Sequence, residues 1–483
     1  MAEVVVVGGG IGGLCAALRL GVAGHHVTLL ERSSELGGKV AVRERDGFRF
    51  DTGPSLLTLP HVFDKVLGLV GMRLADHLDL VRLDPQVRYH WPEGSTLDVA
   101  DQPSETRVAF DRFSAGAGAA WQGWDRRGER IWAIARRTFL AGSMDAPRAV
   151  LRRLQRPSDL WAIDGHRSLA RAARRTFADD RLVQWAGRYA TYSGSSPYAA
   201  PATLACIPHI ESAYGAWYPR GGMGSLTGVL EAGAARAGVT MRRDATVARV
   251  DASPHQVTGV QLTTGERLAA DVVVANTDAD HLYRDLLADD RALARVRRAE
   301  PSSSAFVVLA ALDGRTADVA HHNVWFSADG EAEFAQLFAH RQLPKDPTIY
   351  ASVASVTDAG QAPPGCESWF LLVNAPAGWR GDAAAYRDHV LAVLAARGLD
   401  LRPRVRFTEI ITPADLEQRY RSRGGAIYGT SSNGWRAAFL RPGNRGPRRG
   451  LYLVGGSSHP GGGLPLVAIS AEIVAGLVRD DGW

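Results

Sequence analysis

Three glycines near the amino terminus have the spacing of a backbone that approaches a phosphate group. Gly8, Gly10 and Gly13 give the pattern G-x-G-x-x-G, and Gly12 lies within it. Gly8 allows a tight turn, Gly10 lets the backbone come close to a pyrophosphate, and Gly13 lets the following helix pack against a sheet. Glu31 lies further along the chain, where a carboxylate can accept hydrogen bonds from a ribose diol. These residues predict a site for an adenine dinucleotide.

The elements around these glycines form a complete strand–helix–strand unit. Residues 4–7 are consecutive valines, which is typical of a strand buried on both faces. Residues 14–23 predict a helix that stops at Gly24, and residues 25–30 predict the next strand. Because strand, helix, second strand and terminal acid occur in register, a purely structural role for the glycines is disfavoured.

A second glycine turn directly after this unit predicts a cofactor larger than a nicotinamide dinucleotide. Arg32 follows the acid, and the pair Gly37 and Gly38 precedes Lys39. A turn with a cation beside the first glycine loop can meet the phosphates and ribityl chain of FAD. A plain surface turn is the alternative.

Four sets of motifs together resemble a known family. They are "VVVVGGGIGGLCAALRL", "ERSSELGGKV" and "GFRFDTGPS" at the front, residues 218–250, residues 268–287, and the closing stretch "LYLVGGSSHPGGGLPLVAISAEIVAGLV". The chain resembles the bacterial phytoene desaturase family of FAD-dependent carotenoid desaturases, within the amine oxidase-like flavoproteins. The resemblance covers nearly the whole chain, and its closing His-Pro-Gly stretch is the most specific part.

The resemblance implies that the middle of the chain and its end complete the FAD site. A strand predicted at 240–250 carries Val247 past the adenine, and another is predicted at 268–276. A third, at 451–454, leads into Gly455 and Gly456. No acid follows these glycines, so the hydroxyls of Ser457 and Ser458 and backbone N–H groups are expected to substitute for one.

A helix predicted at 466–478 begins after Pro465. The resemblance implies that its start points at the isoalloxazine, where N–H groups and the positive end of the helix dipole stabilise negative charge on reduced flavin. The predicted contacts at this start are Leu464, Pro465, Leu466 and Val467.

The predicted fold class is α/β, with a Rossmann-type FAD-binding domain interwoven with a mixed-sheet substrate domain and a helical membrane-facing cap. The predicted boundaries are 1–80, 201–290 and 415–483 for the FAD-binding domain, 81–110 and 291–414 for the substrate domain sheet, and 111–200 for the cap. Residues 81–109 alternate like paired strands. Further strands are predicted at 305–312, 322–327, 348–356 and 369–373.

An arginine-rich segment at 126–177 predicts basic amphipathic helices. It holds thirteen arginines and four acids, although the formal net charge of the chain is only +5. Apolar residues are interleaved at roughly helical spacing: Ile131, Trp132, Ile134, Phe139, Leu140, Val150, Leu151, Leu154, Leu160 and Trp161. Such helices can lie on anionic lipid, and a solvated helical face is the alternative. Because a carotenoid lies in the bilayer, the resemblance favours docking on the membrane surface.

Composition and motifs exclude several other classes of protein. The cysteines Cys15, Cys206 and Cys366 have neither disulfide nor zinc spacing, so no metal site is predicted and a reducing setting is favoured. Neither a G-x-S-x-G nor an HExxH motif occurs. Without a basic signal flank or a run of about 18 apolar residues, the predicted location is cytoplasmic, with peripheral membrane association and no nucleic-acid partner.

Histidines are the candidate bases, but no catalytic residue is assigned. His321 and His322 are adjacent in a predicted strand, so their side chains are expected to point to opposite faces. His459 precedes Pro460 near the predicted flavin and could act as a base or fix the turn, of which the second is favoured.

The resemblance implies removal of hydrogen from a saturated carbon pair of a carotenoid, since flavin can accept a hydride. Residues 347–377 and 425–467 resemble the branch of the family that includes 3,4-desaturases of hydroxylated carotenoids and desaturases of preformed carotenoids, which implies 3,4-desaturation without insertion of oxygen. Phytoene desaturation is the alternative, and a flavin amine oxidase or a non-catalytic flavin protein is less favoured. The electron acceptor stays open between oxygen and a quinone.

Overall fold

The computed structural model of the chain describes residues 1–145, 152–434, 437 and 441–483. The strands in these ranges are β1 Glu3–Val7, β2 His26–Leu30, β3 Val42–Arg45, β4 Phe48–Asp51, β5 Leu80–Arg82, β6 Val87–His90, β7 Thr96–Val99, β8 Trp217–Pro219, β9 Thr240–Arg242, β10 Val247–Ala252, β11 Val257–Leu262, β12 Arg267–Ala269, β13 Val272–Ala275, β14 Ser304–Asp313, β15 His322–Trp325, β16 Ile349–Ser352, β17 Cys366–Ala375, β18 Val405–Ile411 and β19 Leu451–Leu453.

Helices connect these strands and cover the sheets. The α-helices within the described residues are α1 Ile11–Val22, α2 His61–Leu67, α3 Pro103–Phe113, α4 Ala117–Thr138, α5 Asp159–Ala162, α6 Leu169–Arg174, α7 Asp180–Arg188, α8 Cys206–Tyr214, α9 Ser225–Arg236, α10 Ala279–His281, α11 Asp290–Arg297, α12 Gly330–Ala335, α13 Ala383–Ala396, α14 Pro413–Tyr420 and α15 Leu464–Asp480.

A five-stranded parallel sheet joins both ends of the chain. Its order is β19-β13-β1-β2-β9, so the first strand is central and the last strand lies at one edge. The β-branched valines of β1 are buried, as a strand covered on both faces requires. Because parallel strands end at the same edge of a sheet, the residues after β1, β2, β13 and β19 meet there.

Two strands predicted as continuous are each divided between two sheets. Residues 240–250 form β9 in the parallel sheet and β10 in the antiparallel sheet β10-β11-β12. The break follows from Asp244, whose φ of 54° is left-handed and incompatible with a strand. Residues 268–276 are divided in the same way between β12 and β13. The prediction of one continuous strand is therefore wrong in both segments, because a turn divides each of them.

The second large sheet has seven strands in the order β18-β14-β17-β16-β15-β6-β7. Its pairs are antiparallel except for β15 with β6, so the predicted mixed sheet is confirmed. The interpretation of residues 81–109 as paired strands is wrong at its end, where residues 103–113 form α3. Pro103 in the first turn and buried residues at Thr106 and Phe110 explain the helix.

The helices between residues 103 and 214 enclose an aromatic core. Trp124, Phe177 and Trp185 are almost fully buried in it, and the Phe177 ring lies 5.7 Å from that of Trp124 and 5.8 Å from that of Trp185. Ile131 and Ile134 of α4 are also buried. The apolar face of α4, which was expected to lie on lipid, thus packs against protein. Three residues of the predicted basic segment, Arg148, Val150 and Leu151, lie outside the described residues.

Candidate functional site

Three glycine loops meet around one asparagine at the carboxyl edge of the parallel sheet. Asn276 follows β13, and its Nδ2 donates to the carbonyl oxygen of Gly8 at 3.1 Å. The backbone N–H of Gly37 donates to the Gly9 carbonyl at 2.9 Å. A Cβ added to Gly455, which follows β19, would lie 2.5 Å from Asn276 Oδ1. Backbone loops from both ends of the chain therefore meet at this site, as the prediction required.

The motif glycines differ in what they are needed for. A Cβ on Gly13 would lie 2.1 Å from the carbonyl oxygen of Gly8, which reflects the close packing of α1 against the sheet. Gly8 itself has a φ of 101°. A Cβ on Gly10 would instead lie 3.0 Å from Asn276 Nδ2, with every other atom at least 3.8 Å away. The space at Gly10 is therefore left open by the protein, on the side that faces a cavity.

Glu31 ties the end of β2 to the first glycine loop. Its Oε2 accepts from the N–H of Gly9 at 2.8 Å, and its Oε1 accepts from the N–H and the hydroxyl of Ser33 at 2.9 and 2.8 Å. The carboxylate has further lone pairs and lines the cavity. It can thus accept from a ribose diol as predicted, while it fixes the loop.

Charged side chains on this side of the cavity face it and are otherwise enclosed by protein. Lys39 Nζ donates to the carbonyl oxygen of Ile427 at 2.7 Å. Arg441 donates to the carbonyl oxygens of Tyr428, Gly456 and Thr430 at 2.7–3.0 Å. Burial lowers the pKa of Lys39, and lowers the pKa of Arg441 to about 10.

Asp278 is the carboxylate near these two cations. Burial raises the pKa of Asp278, and the charge of Lys39 opposes that shift. The predicted Arg32 is more exposed and donates to the carbonyl oxygens of Gln418 and Arg419. Lys39 and Arg441 place two half-buried cations on this wall, where they can bind the anionic part of a ligand.

The closing turn is held by its own hydrogen bonds. His459 Nε2 lies 2.8 Å from the carbonyl oxygen of Phe139, to which it must donate. The hydroxyl of Ser457 accepts from the N–H of Ala279 at 3.0 Å and donates to Thr277, and that of Ser458 donates to Gly455 at 3.2 Å. His459 therefore fixes the turn, as favoured from the sequence, and both serine hydroxyls are engaged with backbone.

The helix after this turn begins earlier than predicted. It starts at Leu464, and Pro465 lies inside its first turn, where a missing N–H costs nothing. Neither α15 nor α1 has a side-chain N-cap, and Ile11, Gly12, Leu466 and Val467 line the cavity beside these helix starts. Unpaired N–H groups at a helix start bind anions, so the start of α1 fits a diphosphate and that of α15 fits an electron-rich ring edge.

One cavity of about 2460 Å³ contacts all of these elements. Of the predicted cofactor-binding residues, all but Gly13 line it: Gly8, Gly10, Gly12, Glu31, Arg32, Gly38, Lys39, Val247, Gly455, Gly456, Leu464, Pro465, Leu466 and Val467. Typical small-molecule pockets measure about 300–1,000 Å³. The cavity therefore has room for a second molecule beside a dinucleotide.

His321 and His322 lie together, which contradicts the prediction that they point to opposite faces. Their ring centroids are 4.4 Å apart, because His321 precedes β15 and does not share its alternation. His322 Nδ1 lies 2.8 Å from the hydroxyl of Tyr350, which lines the cavity. Burial lowers the pKa of His321 to about 3 and that of His322 well below its ordinary value, so both rings are neutral.

The fold and the glycine loops define a flavoprotein, and comparison with known proteins agrees. Residues 11–479 match the flavin containing amine oxidoreductase family, to which this chain belongs. A 4,4'-diapolycopene oxygenase of Methylomonas sp is 34% identical over 488 residues, which cover 99% of this chain and 98% of the relative. A 4,4'-diaponeurosporene oxygenase of Staphylococcus aureus is 34% identical over 486 residues, with the same coverage. The protein is an FAD-dependent oxidoreductase.

Solved structures share the fold at much lower identity. A cyclohexylamine oxidase from Brevibacterium oxydans IH-35A has a TM-score of 0.64 at 13% identity and covers 99% of both chains. An oxidoreductase from Methanosarcina mazei has a TM-score of 0.63 at 17% identity and covers 98% of this chain and 99% of that chain. These similarities concern the fold alone.

Three polar residues at the site escaped the sequence interpretation: Asn276, Asp278 and Arg441. The first two follow a buried valine strand, and polar residues just after such a strand are a usable signal for the carboxyl edge of a sheet. Arg441 has no such signal, because it reaches the site only through the folding of the closing loops.

Proposed function

We propose that this enzyme uses FAD to oxidise a carotenoid. The observation that carries the proposal is that one cavity joins the glycine loops to a large apolar chamber. The chamber is lined by Trp132, Leu204, Ile207, Phe326 and Phe334, among others. Apolar side chains of this kind suit a long lipophilic molecule, and both relatives described above are named for carotenoid substrates.

The side chains at the carboxyl edge would bind and orient FAD. Backbone N–H groups at the start of α1 would hold the diphosphate, Glu31 would hold the ribose and Val247 would lie along the adenine. The start of α15 would face the isoalloxazine. When bound, FAD accepts a hydride from carbon. The apolar side chains of the chamber would hold the polyene near the flavin, and either oxygen or a quinone would accept the electrons.

The names of the relatives favour oxygenation at the polyene over the predicted 3,4-desaturation. Both are called oxygenases, and each aligns with this chain over nearly its whole length. Desaturation of a hydroxylated or preformed carotenoid is the second candidate, supported by residues 347–377 and 425–467. Phytoene desaturation has no further observation in its favour. Amine oxidation is less well supported, because the similarity to a cyclohexylamine oxidase is 13% in sequence.

Product mass distinguishes these reactions. The FAD-loaded protein would be mixed with liposomes that hold a hydrocarbon carotenoid, a hydroxylated carotenoid or phytoene, and an amine would serve as the fourth substrate. A carotenoid is expected to bleach the flavin anaerobically and to give a product heavier by one oxygen atom, because the polyene would lose a hydride to FAD and water would then supply the oxygen atom and lose a proton. A product lighter by two hydrogens would support desaturation. Bleaching by the amine alone would contradict the proposal.

Membrane docking through the arginine-rich segment is part of the proposal, but the docking surface is now placed at α5 and not at the buried apolar face of α4. None of the helices among the described residues is long and apolar enough to cross a membrane. Leu160 and Trp161 of α5 are 47% and 73% exposed, and both line the cavity, which places them at its mouth. Exposed arginines at 136 and 156 belong to the same segment. An exposed tryptophan with nearby arginines suits a lipid interface.

A further inference from the structure

A polar cluster interrupts the apolar wall of the cavity. Arg188, at the end of α7, lies among four tyrosine rings. The distances from its guanidinium carbon to the ring centroids are 5.5 Å for Tyr89, 5.9 Å for Tyr189, 5.3 Å for Tyr192 and 5.7 Å for Tyr350. A guanidinium enclosed by aromatic faces is held in place and largely dehydrated. Arg188 nonetheless lines the cavity.

Most of the hydrogen-bonding capacity of Arg188 is unused by the protein. Its Nη1 donates to the hydroxyls of Tyr89 and Tyr192, both at the long distance of 3.3 Å. A guanidinium has five N–H donors. Within the part of the chain that the structure describes, its Nε and Nη2 have no hydrogen-bond acceptor, and no carboxylate oxygen lies within 4.0 Å of it.

Glu211 belongs to the same cluster but is occupied by tyrosines. Its two carboxylate oxygens accept from the hydroxyls of Tyr189 at 3.0 Å and Tyr192 at 2.7 Å. It balances the charge of Arg188 at longer range without using the remaining donors. An unpaired donor set in an apolar chamber costs free energy unless a ligand accepts from it.

We propose that Arg188 binds an oxygen atom carried by one end of the polyene, as an aldehyde or a carboxylate. The inference rests on the proposed function and specifies its substrate class: a carotenoid whose end is already partly oxidised. Carbonyl and carboxylate oxygens accept hydrogen bonds only, which matches a group that only donates. A hydrocarbon end would leave these donors unsatisfied.

The anchor lies on the cofactor side of the cavity. The hydroxyl of Tyr350, in the wall around Arg188, contacts the hydroxyl of Ser55. Ser55 lies two residues after Gly53, which is packed so tightly on Lys39 that an added Cβ would lie 1.8 Å from the Lys39 carbonyl oxygen. Arg188 also acts electrostatically on Tyr428, whose ring packs on Gly462 of the closing turn before α15. An end held by Arg188 would thus lie toward the predicted flavin, which suits successive oxidation of that end.

Binding of matched ligands tests the anchor. The FAD-loaded protein would be titrated with an acyclic polyene hydrocarbon and with the same polyene bearing a terminal aldehyde or carboxylate, and the polyene absorbance followed. We expect the wild type to bind the oxygenated polyene at least about tenfold more tightly. Arg188→Met should remove this preference and leave hydrocarbon affinity unchanged. Arg181→Met is the control, because Arg181 lines the same cavity from α7 but is paired with Asp179.

Charge balance is tested separately, because Arg188→Met alone leaves Glu211 buried without its cation. The double variant Arg188→Met with Glu211→Gln restores neutrality and should also lack the preference, whereas Glu211→Gln alone should keep it. Equal wild-type affinity for the two polyenes, or a preference that survives in the double variant, would overturn the anchor while carotenoid binding stood. A wild type that binds neither polyene would overturn the proposed function as well.

Discussion

The side-chain amide of Asn276 donates to the carbonyl oxygen of Gly8 at 3.1 Å, and so joins the end of β13 to the turn after β1. The same side chain lies within 3.0 Å of the position that a Cβ would take on Gly10, Gly12 or Gly455. One amide thus sets the spacing of the loops that would enclose the FAD diphosphate. A residue in this position affects cofactor binding without being required to touch the cofactor.

Asn276→Ala should weaken FAD binding about tenfold, since one hydrogen bond to backbone contributes about 1 kcal/mol and its loss frees two loops. Equilibrium dialysis of FAD measures this. Asn323→Ala is the matched control, because Asn323 also bonds a loop, through Ala320 at 2.7 Å, but does not line the cavity. The control should retain FAD, and equal loss in both variants would contradict the role of Asn276.

Two glycine substitutions should fail in different ways. Gly13→Val must displace the Gly8 carbonyl, so it should reduce the yield of folded protein. Gly10→Val crowds only the side-chain amide of Asn276, at 3.0 Å, and no backbone atom, so the protein should fold but lose the yellow colour of bound flavin, because the side chain occupies the space of the pyrophosphate. Circular dichroism and the ratio of FAD to protein separate the two. Full FAD occupancy in Gly10→Val would exclude the pyrophosphate assignment.

The strand–helix–strand unit could be predicted because its pattern is local. The valines, glycines and acid all lie within residues 4–31, and each restricts its neighbours directly. The break at Asp244 and the contact between Asn276 and Gly8 depend on distant segments, so no local pattern reports them. The sequence also could not show what the apolar face of α4 contacts. Ile131 and Ile134 pack against protein, but the same apolar residues would suit a helix that lies on lipid.

The exposed pair on α5 is expected to insert into lipid. Replacing Leu160 and Trp161 together with serine should lower sedimentation with anionic vesicles at least tenfold, because each buried side chain contributes about 1.5–3 kcal/mol. Leu69→Ser is the control, since Leu69 is 43% exposed but lies away from the cavity. If the control and the double variant sediment alike, α5 does not form the docking face.

The exposed arginines should contribute through charge. Arg136→Glu with Arg156→Glu should weaken vesicle binding by about 1 kcal/mol or more per residue at low salt and have less effect at high salt. Arg137 and Arg153 are less suitable for reversal, because Arg137 is paired with Asp159 and Arg153 donates to the carbonyls of Thr138 and Ser143. Vesicle binding that is independent of salt would contradict an electrostatic contribution.

Asp51 should make stability fall as pH rises. Burial raises the pKa of Asp51 to about 6, against the hydrogen bonds that it accepts from Tyr218 at 2.8 Å and Met223 at 2.9 Å. The folded state then binds more protons than the unfolded state between about pH 4 and pH 6. The free energy of unfolding should therefore fall across this window, by at most about 3 kcal/mol.

Asp51→Asn should flatten this dependence while it keeps the amide oxygen as an acceptor. Urea denaturation of both proteins at pH 4 and pH 7 provides the comparison, and only the difference between their slopes is assigned to Asp51. An unchanged slope in the variant would show that the Asp51 carboxyl does not titrate in this range.

The order of the parallel sheet has a consequence for synthesis on the ribosome. The central strand β1 is made first, but its neighbour β13 and the edge strand β19 follow some 270 and 450 residues later. At about 5–20 residues per second, the glycine turn at Gly8 waits roughly 20–90 s for Gly455. Until β13 is made, β1 is paired with β2 alone, so its other edge has unpaired backbone groups. Capture of FAD by these loops therefore requires that synthesis has passed Gly455.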